Sequence, residues 1–545
     1  MTRRLLVLAG LALGPVLVLG VFFVLPVSGM LAQGLWPDGR FDPGAVLDVL
    51  TRPRTRRVVW FTIWSAGLAT VASVALGLPA AYALHRLRFR GRGLIRAALL
   101  VPFVLPTVVV GVAFRQLLGE AGPLGFLGLD GSPVAIVAGL AFFNVAVVIR
   151  AVGASWESLD VRPAEAAAVL GASPRQVFRT VTLPALGPAL VSASSVVFLF
   201  CATSFGIVLT LGGLRYSSVE TEIYRLTTQQ LDLQAAAALS VVQLVAVTVL
   251  LALAARLRAT ADPGVSRQVA RPRRPRREDV PQLAATAGLL LLVAAPIASL
   301  VVGSLRVGDS WGLANYRGLS DAESGTALLV PVTDALVTSL RTAVDATWMA
   351  LLLGGLVAVI VTRRSRSSTE RRVRGALDGF FMLPLGVSAV TLGFGFLITL
   401  DEPPLALRDS PLLVPVAQAL VALPLVVRTL APVLASVDDR QRQAAASLGA
   451  GPLRVLATVD LPVVWRPLLA AAGFAFAVSL GEFGATAFLA RDEHPTLPVV
   501  IFQLIGRPGA ENFGMALAAS VLLAATTALV MLAVERLRVP SVGAF

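Results

Sequence analysis

Glu165-Ala166-Ala167-Ala168-Val169-Leu170-Gly171, followed by Val181-Thr182-Leu183-Pro184, returns later in the chain. There it reads Gln443-Ala444-Ala445-Ala446-Ser447-Leu448-Gly449, followed by Val459-Asp460-Leu461-Pro462. Each residue stands 278 positions from its counterpart. The same offset pairs Asp160 with Asp438, Arg162 with Arg440, Arg150 with Arg428, Phe205-Gly206 with Phe483-Gly484, and Pro106 with Pro384. From Pro106 to Gly206 no residue is gained or lost. A constant offset over such a length identifies two copies of one structural unit.

The repeated stretch has a readable local chemistry. Asp160 and Asp438 can cap a short helix, whose dipole favours an acidic group at that end. The Ala-rich runs, 164–170 and 444–448, propagate it. Gly171 and Gly449 end it in the left-handed conformation open to glycine. Ser173-Pro174-Arg175-Gln176 then reads as a capping box with Pro at the first helical position, and Gly451-Pro452 does similar work in the second copy. The expectation is helix, sharp turn, helix, then Leu-Pro and re-entry into an apolar segment. Small side chains on the first helix leave a shallow face that another protein can grip closely.

The surroundings of these loops are apolar. The chain has 545 residues, 56% of them hydrophobic and only 14% charged, against about 25% in a soluble protein. A bilayer core of roughly 30 Å needs about 20 apolar residues in a helix. Twelve such segments are predicted, over about 5–28, 58–84, 95–118, 133–153, 186–211, 236–256, 283–305, 335–361, 376–400, 411–433, 466–490 and 513–535. Arg3 and Arg4 precede the first, but its apolar run exceeds the 7–15 residues of a secretory signal and reads as a retained helix. The fold class is therefore an all-α integral membrane protein, with two six-helix repeats. An even number of helices per repeat makes them parallel.

The residues divide as a first half over 1–257, a linker over 258–281 and a second half over 282–545. The polar loops lie at 154–185 and 434–463. Pro and like charges in Arg271-Pro272-Arg273-Arg274-Pro275-Arg276-Arg277 argue against a packed core in the linker. Arginines set the orientation by the positive-inside rule. With the N-terminus in the cytoplasm, inside loops hold Arg86 to Arg96, Arg256 to Arg277 and Arg363 to Arg374. Outside loops are sparse or acidic, as in Asp401-Glu402-Pro403-Pro404. Arg52, Arg54, Arg56 and Arg57 are the exception, on the outer side. Both termini fall in the cytoplasm, across the plasma membrane of a bacterium.

Several classes are excluded. The net charge of +14 comes from loop arginines and reflects topology, so no nucleic acid is expected. The single Cys201 permits no intrachain disulfide. With only His85 and His494 besides, there is no Cys/His metal cage and no metal site. No cluster of His, Asp, Glu or Cys suggests a catalytic residue. The sequence holds no lysine, so it cannot contain a P-loop; ATP would be hydrolysed on another subunit. The main alternative class is an ion-driven secondary transporter, which would place buried charges along its path and has no need of two Ala-Gly loops.

The pattern Glu165-Ala166-Ala167 to Gly171, then Leu183-Pro184, resembles the EAA loop of ABC importer permeases, in the subgroup with both halves fused. The resemblance covers nearly the whole chain. It implies that the loops are coupling helices that sit in grooves of ABC ATPase subunits, a homodimer carrying ATP and Mg²⁺. It also implies an extracytoplasmic substrate-binding protein. The coupling residues would be Glu165, Ala166, Ala167, Gly171 and Pro184, with Gln443, Ala444, Ala445, Gly449 and Pro462. Gln443 departs from the family's usual Glu.

The segments after the fifth helix of each repeat include Phe205 to Gly213 with Glu220 to Tyr224, and Ser479 to Gly484 with Thr496 to Ile505. They are similar to those of fused thiamine permeases, also to iron(III) permeases, and more loosely to molybdate and sulfate permeases. Ser204, Phe205, Glu482 and Phe483 are the candidate substrate-path residues. A charge at mid-membrane costs about 2.5–3.5 kcal/mol, so Glu482 should face the bundle interior, a partner or a wet cavity. It is either a contact for a cationic substrate or a helix-packing hydrogen bond, and Ser204 at the equivalent place favours the latter. Asp345 has the same two readings. Glu220, Glu222, Glu482 and Glu493 near the outer mouth could concentrate a cation, against Arg215, Arg225, Arg491 and Arg507 in the same segments.

Overall fold

The computed structural model describes residues 3–36, 39–213, 215–259, 272–308, 310–320, 330–365, 367–401, 405–491 and 493–537. Apart from a two-stranded hairpin, Arg306–Val307 with Ser310–Trp311, and one bridge between Leu87 and Arg273, the regular structure of these residues is helical. Ten helices are long and apolar enough to cross a membrane: Leu8–Leu35, Pro53–Arg86, Pro133–Ser158, Pro174–Ala202, Leu233–Ala254, Arg277–Ser304, Val332–Thr362, Leu413–Ser436, Pro452–Leu480 and Ala510–Val534. Two bent pairs bring the number to twelve, as the apolar segments predict.

The bends correct the expected third and ninth spans, which are not straight. Arg92–Val104 and Thr107–Leu118 meet at 105°, and Ser368–Gly386 and Ala389–Thr399 at 96°. At the first break Leu105 is extended, with ψ 137°. Proline disfavours helical backbone in the residue before it, and Pro106 has no N–H to leave unpaired. At the second, the chain restarts on Ser388, whose hydroxyl accepts the N–H of Thr391 at 3.0 Å. The fifth and eleventh spans also end earlier than expected, at Ala202 and Leu480. Short helices follow them, Gly206–Gly212 and Thr486–Leu489.

The chain packs as two compact units that cross the halves of the sequence. Of the described residues, one comprises those up to Val49, Ile223–Val241 and those from Tyr316 onward; the other comprises those within Leu50–Glu222 and Val242–Asn315. In the first, the N-terminal helix lies on second-half helices. Pro26 presses on Gly395, where a Cβ would come within 3.1 Å of the proline, and Phe22 meets Phe396 at 6.2 Å between centroids. In the second unit, Val280–Ser304 lies on Pro53–Arg86 and Thr107–Leu118. A Cβ on its Gly303 would meet the Gln116 side chain at 2.7 Å.

Two polar ties complete the second unit. Arg54 donates from Nε and Nη2 to the two oxygens of the buried Glu222, at 2.7 and 3.0 Å. This bidentate pair accounts for one arginine of the Arg52–Arg57 group. The expectation for 258–281 needs a second correction. Residues 260–271 lie outside the described ones, but the stretch after them docks on the end of Pro53–Arg86. Arg273 exchanges backbone hydrogen bonds with Arg86 and Arg88 at 3.0 and 2.7 Å. Its guanidinium grips Asp279 at 2.7 and 2.8 Å and Tyr82 at 3.0 Å. A partner carboxylate overrides the like-charge repulsion read from the sequence.

Helix Gly206–Gly212 can approach Thr107–Leu118 only because Gly111 lacks a side chain: a Cβ there would lie 1.6 Å from Thr210 Oγ1. Gly111→Leu is expected to overpack this contact by about 1–3 kcal/mol and lower the thermal unfolding midpoint of the purified protein. Gly187→Ala, where no atom lies within 4 Å, should not lower the midpoint, since alanine is the better helix former.

Candidate functional site: two repeated helix-turn-helix loops

The first loop is built as its residues dictate. Asp160 Oδ1 accepts the N–H of Arg162 at 3.0 Å, and the helix Arg162–Val169 follows. Gly171 then takes φ +86°. The Ala172 N–H reaches back to Ala167 O at 3.1 Å and the Gly171 N–H to Ala168 O at 3.0 Å. This pair of bonds is the Schellman closure of a helix end. Ser173 and Gln176 form the reciprocal capping box, at 2.8 and 3.4 Å.

The second loop repeats the geometry. Asp438 caps Asp439–Ser447 with a 2.9 Å bond from the Arg440 N–H. Gly449 has φ +82°. Ala450 and Gly449 close the end on Ala445 O and Ala446 O, each at 3.0 Å. Gly451 and Pro452 open the next helix without a side-chain cap.

The expected re-entry at Leu-Pro is different in form. The second helix of each loop does not stop there; it runs into the membrane as one element, Pro174–Ala202 and Pro452–Leu480. Pro184 and Pro462 lack the N–H an α-turn requires at their positions. The chain widens there into five-residue π-helices, Phe178–Thr182 and Leu456–Asp460. The Leu183 N–H bonds to Phe178 O and the Leu461 N–H to Leu456 O, one residue further back than in an α-helix. Wide turns of this kind carry a proline through a helix without breaking it.

The tips of both loops face outward. Glu165, Ala166 and Gly171 are exposed, as are Gln443, Ala444 and Gly449, while Ala167 and Ala445 are half-buried. Pro184 and Pro462 are exposed beside the π-helices. Next to the glycines stand large apolar side chains with almost no cover: Val169 and Leu170 are each 87% exposed, Leu448 90% and Leu453 82%. Isolated exposed apolar residues are ordinary. Here Leu170 and Leu448 stand at matched positions, each one residue before the turn glycine.

The segments expected to line the path are also placed. Ser204 and Phe205 are buried after Ala202, and the Ser204 hydroxyl has no hydrogen-bond partner among the described residues. Glu482 is buried and accepts the N–H groups of Ala485 and Thr486 at 2.8 and 3.1 Å, and the Thr486 hydroxyl. Its carboxylate ties down the start of Thr486–Leu489, through bonds three and four residues along the chain. Phe483 lies tilted against Phe502, with ring centroids 5.5 Å apart, and Tyr224 meets Phe488 edge-on at 5.4 Å. The carboxylates expected to draw a cation need a correction. Glu220 bonds the Gln243 amide and Glu222 is held by Arg54, both buried; Glu493 alone of the four is exposed. Asp345 accepts from the Trp348 indole at 3.3 Å. The sequence reading missed Arg363, Arg442 and Asp460 as a group. Its one trace is the Asp460 that stands where the first copy has Thr182.

This architecture, with one loop per repeat, defines a class. The family model for the binding-protein-dependent transport system inner membrane component matches residues 73–267 and again 350–538. The chain belongs to that family and is a membrane-spanning permease subunit. It is 31% identical to the thiamine transport system permease protein ThiP of Brucella abortus (strain 2308), over 86% of this chain and 85% of that one. It is 28% identical to the protein of the same name from Escherichia coli K12, over 82% and 83%. A probable ABC transporter permease protein of Sinorhizobium fredii, y4fN, is 26% identical over 95% and 94%.

Because no atom lies within 4 Å of a Cβ at Gly171 or Gly449, backbone strain alone opposes a side chain there. Gly171→Ala and Gly449→Ala should each weaken the helix end by about 1–2 kcal/mol. Amide exchange in 165–172 or 443–450 should then quicken about tenfold, with the global unfolding midpoint unmoved.

Proposed function

We propose that this chain is the pore-forming subunit of a thiamine importer, driven by a separate ATPase. The likeness to proteins named as thiamine permeases, over more than four-fifths of both chains, carries the substrate. Leu170 and Leu448, exposed at matched positions, with Val169 and Leu453 exposed near them, support docking. One ATPase subunit of a dimer binds each loop, 154–185 and 434–463. Glu165, Ala166, Ala167 and Gly171 form the first contact; Gln443, Ala444, Ala445 and Gly449 form the second. Pro184 and Pro462 join the loops to the spanning helices. ATP and Mg²⁺ belong to the partner. The loops and both termini face the cytoplasm, where the arginine-rich segments lie, and an extracytoplasmic binding protein delivers thiamine to the other face. Ser204, Phe205 and Phe483 border the path, and Glu482 holds its wall. Aromatic faces suit a cationic aromatic ligand.

Uptake of labelled thiamine should collapse in cells that lack this gene and return with it. If thiamine uptake is unchanged while iron(III), molybdate or sulfate uptake falls, the substrate is wrong and the permease stands.

The purified chain should hydrolyse no ATP until its partner is added; hydrolysis by the chain alone would overturn the division of labour. Gly171→Arg and Gly449→Arg should insert normally and fail to co-purify with the ATPase. Intact co-purification and transport in both would remove the docking role.

A further inference from the structure

The two loops are alike at their tips and unlike at their bases. In the unit holding the second loop, Asp460 is fully buried. Its Oδ1 accepts from Arg442 Nε at 2.8 Å, and its Oδ2 accepts from Arg363 Nη2. Arg442 also donates from Nη1 to Asp439 Oδ1 and from Nη2 to Leu434 O, both at 2.9 Å. Arg363 ends the helix Val332–Thr362, Leu434 lies in the last turn of Leu413–Ser436, and Asp460 leads into Leu461–Leu480. Asp439 is the first residue of the loop helix. Three spanning helices and the loop helix therefore meet on one carboxylate. Hydrogen bonds between ionised partners are about twice as strong as neutral ones, and a low local dielectric strengthens them further.

The first copy keeps one of these groups and lacks the other two. Thr62 and Ser339 make the same bond, to the N–H of Val219 and of Leu497, which sets this helix at an offset of 277 and makes Arg86 the counterpart of Arg363. Ala164 and Thr182 stand for Arg442 and Asp460. Beside Arg86, His85 pairs with Glu157 at 2.7 Å through Nδ1. Where the second copy has the ion cluster, the first has a cavity of about 310 Å³. Arg86 lines it together with Trp156, Leu159, Val161, Ala164 and Thr182; the last five are the counterparts of Leu434, Val437, Asp439, Arg442 and Asp460.

We infer that Arg363, Asp460 and Arg442 are positioning residues that clamp the second loop helix to the spanning helices, while the first loop helix rides over a cavity and yields. On the docking reading proposed above, the two loops then pass motion from the ATPase unequally: the second as a rigid lever, the first with slack.

Amide hydrogen exchange on the whole wild-type chain in lipid nanodiscs tests the clamp without any partner. Residues 443–450 should exchange about tenfold or more slowly than 165–172; equal protection, or the reverse order, overturns the inference. Asp460→Asn, equal in shape but uncharged, should erase the difference, Asp460→Glu should restore part of it, and Thr182→Val should change neither loop. Should Asp460→Asn fail to fold, Ala164→Arg with Thr182→Asp carries the test from the other side. Completing the cluster beside Arg86 should slow exchange in 165–172, and unchanged exchange there counts against the clamp.

In proteoliposomes with the ATPase, the binding protein and labelled thiamine, Asp460→Asn should leave ATP hydrolysis nearly intact. It should cut thiamine moved per ATP by about fivefold or more. Equal loss of both activities, or of neither, would reduce the cluster to a structural tie. If Gly449→Arg transports normally, the docking reading fails, and the exchange difference still stands or falls by itself.

Discussion

Hydrocarbon offers no partner to a backbone N–H or C=O, and the breaks in the described spanning helices answer to that fact. Ten helices run for 22 to 34 residues with their hydrogen bonds closed within each helix. Where the chain bends or stops, the freed groups find local partners. Pro106 brings no donor to the break it causes. Ser388 accepts the N–H of Thr391, and Glu482 accepts those of Ala485 and Thr486. Pro184 and Pro462 are carried through by π-turns. The short helices at Gly206–Gly212 and Thr486–Leu489 exist because each break is satisfied on the spot.

Charge follows the same economy. Arg54 with Glu222, Arg273 with Asp279, and Arg363 and Arg442 with Asp460 set buried carboxylates against guanidinium groups. A buried ion pair gains little net stability, but removing one partner leaves an uncompensated charge at a cost of about 3–5 kcal/mol. Such pairs fix geometry. One ties the start of a spanning helix to a buried segment near residue 222. Another ties the chain before residue 280 to the end of Pro53–Arg86. The third gathers four helix ends beneath a loop. The acids that might have attracted a cation are mostly spent on this work.

The function rests on a division between tip and base of each loop. The tips are nearly identical because a glycine at positive φ, an Ala-rich helix and a following proline leave the backbone little choice. The bases have diverged, one filled with charge and the other hollow. Two copies of one unit in a single chain are free to do this, since each position can change alone. A symmetric pair of identical chains could not.

The repeat, the number of spanning segments, the left-handed glycines and the capping box were legible in the sequence, because each depends on residues close together in the chain. Apolar length sets a spanning helix, and the missing Cβ of Gly171 and Gly449 sets the turn. The family also follows from the repeated loop. Other features depended on which charges and helices packing brings together: the swapped entry helices, Glu222 as partner of Arg54, Asp279 as partner of Arg273, and the meeting of Arg363, Arg442 and Asp460. These partners lie 168, 6, 97 and 18 positions apart, and a sequence names charges without saying which will meet. Whether a carboxylate faces a path, a cap or a guanidinium is decided by what packs beside it, and only the tertiary structure brings those groups together.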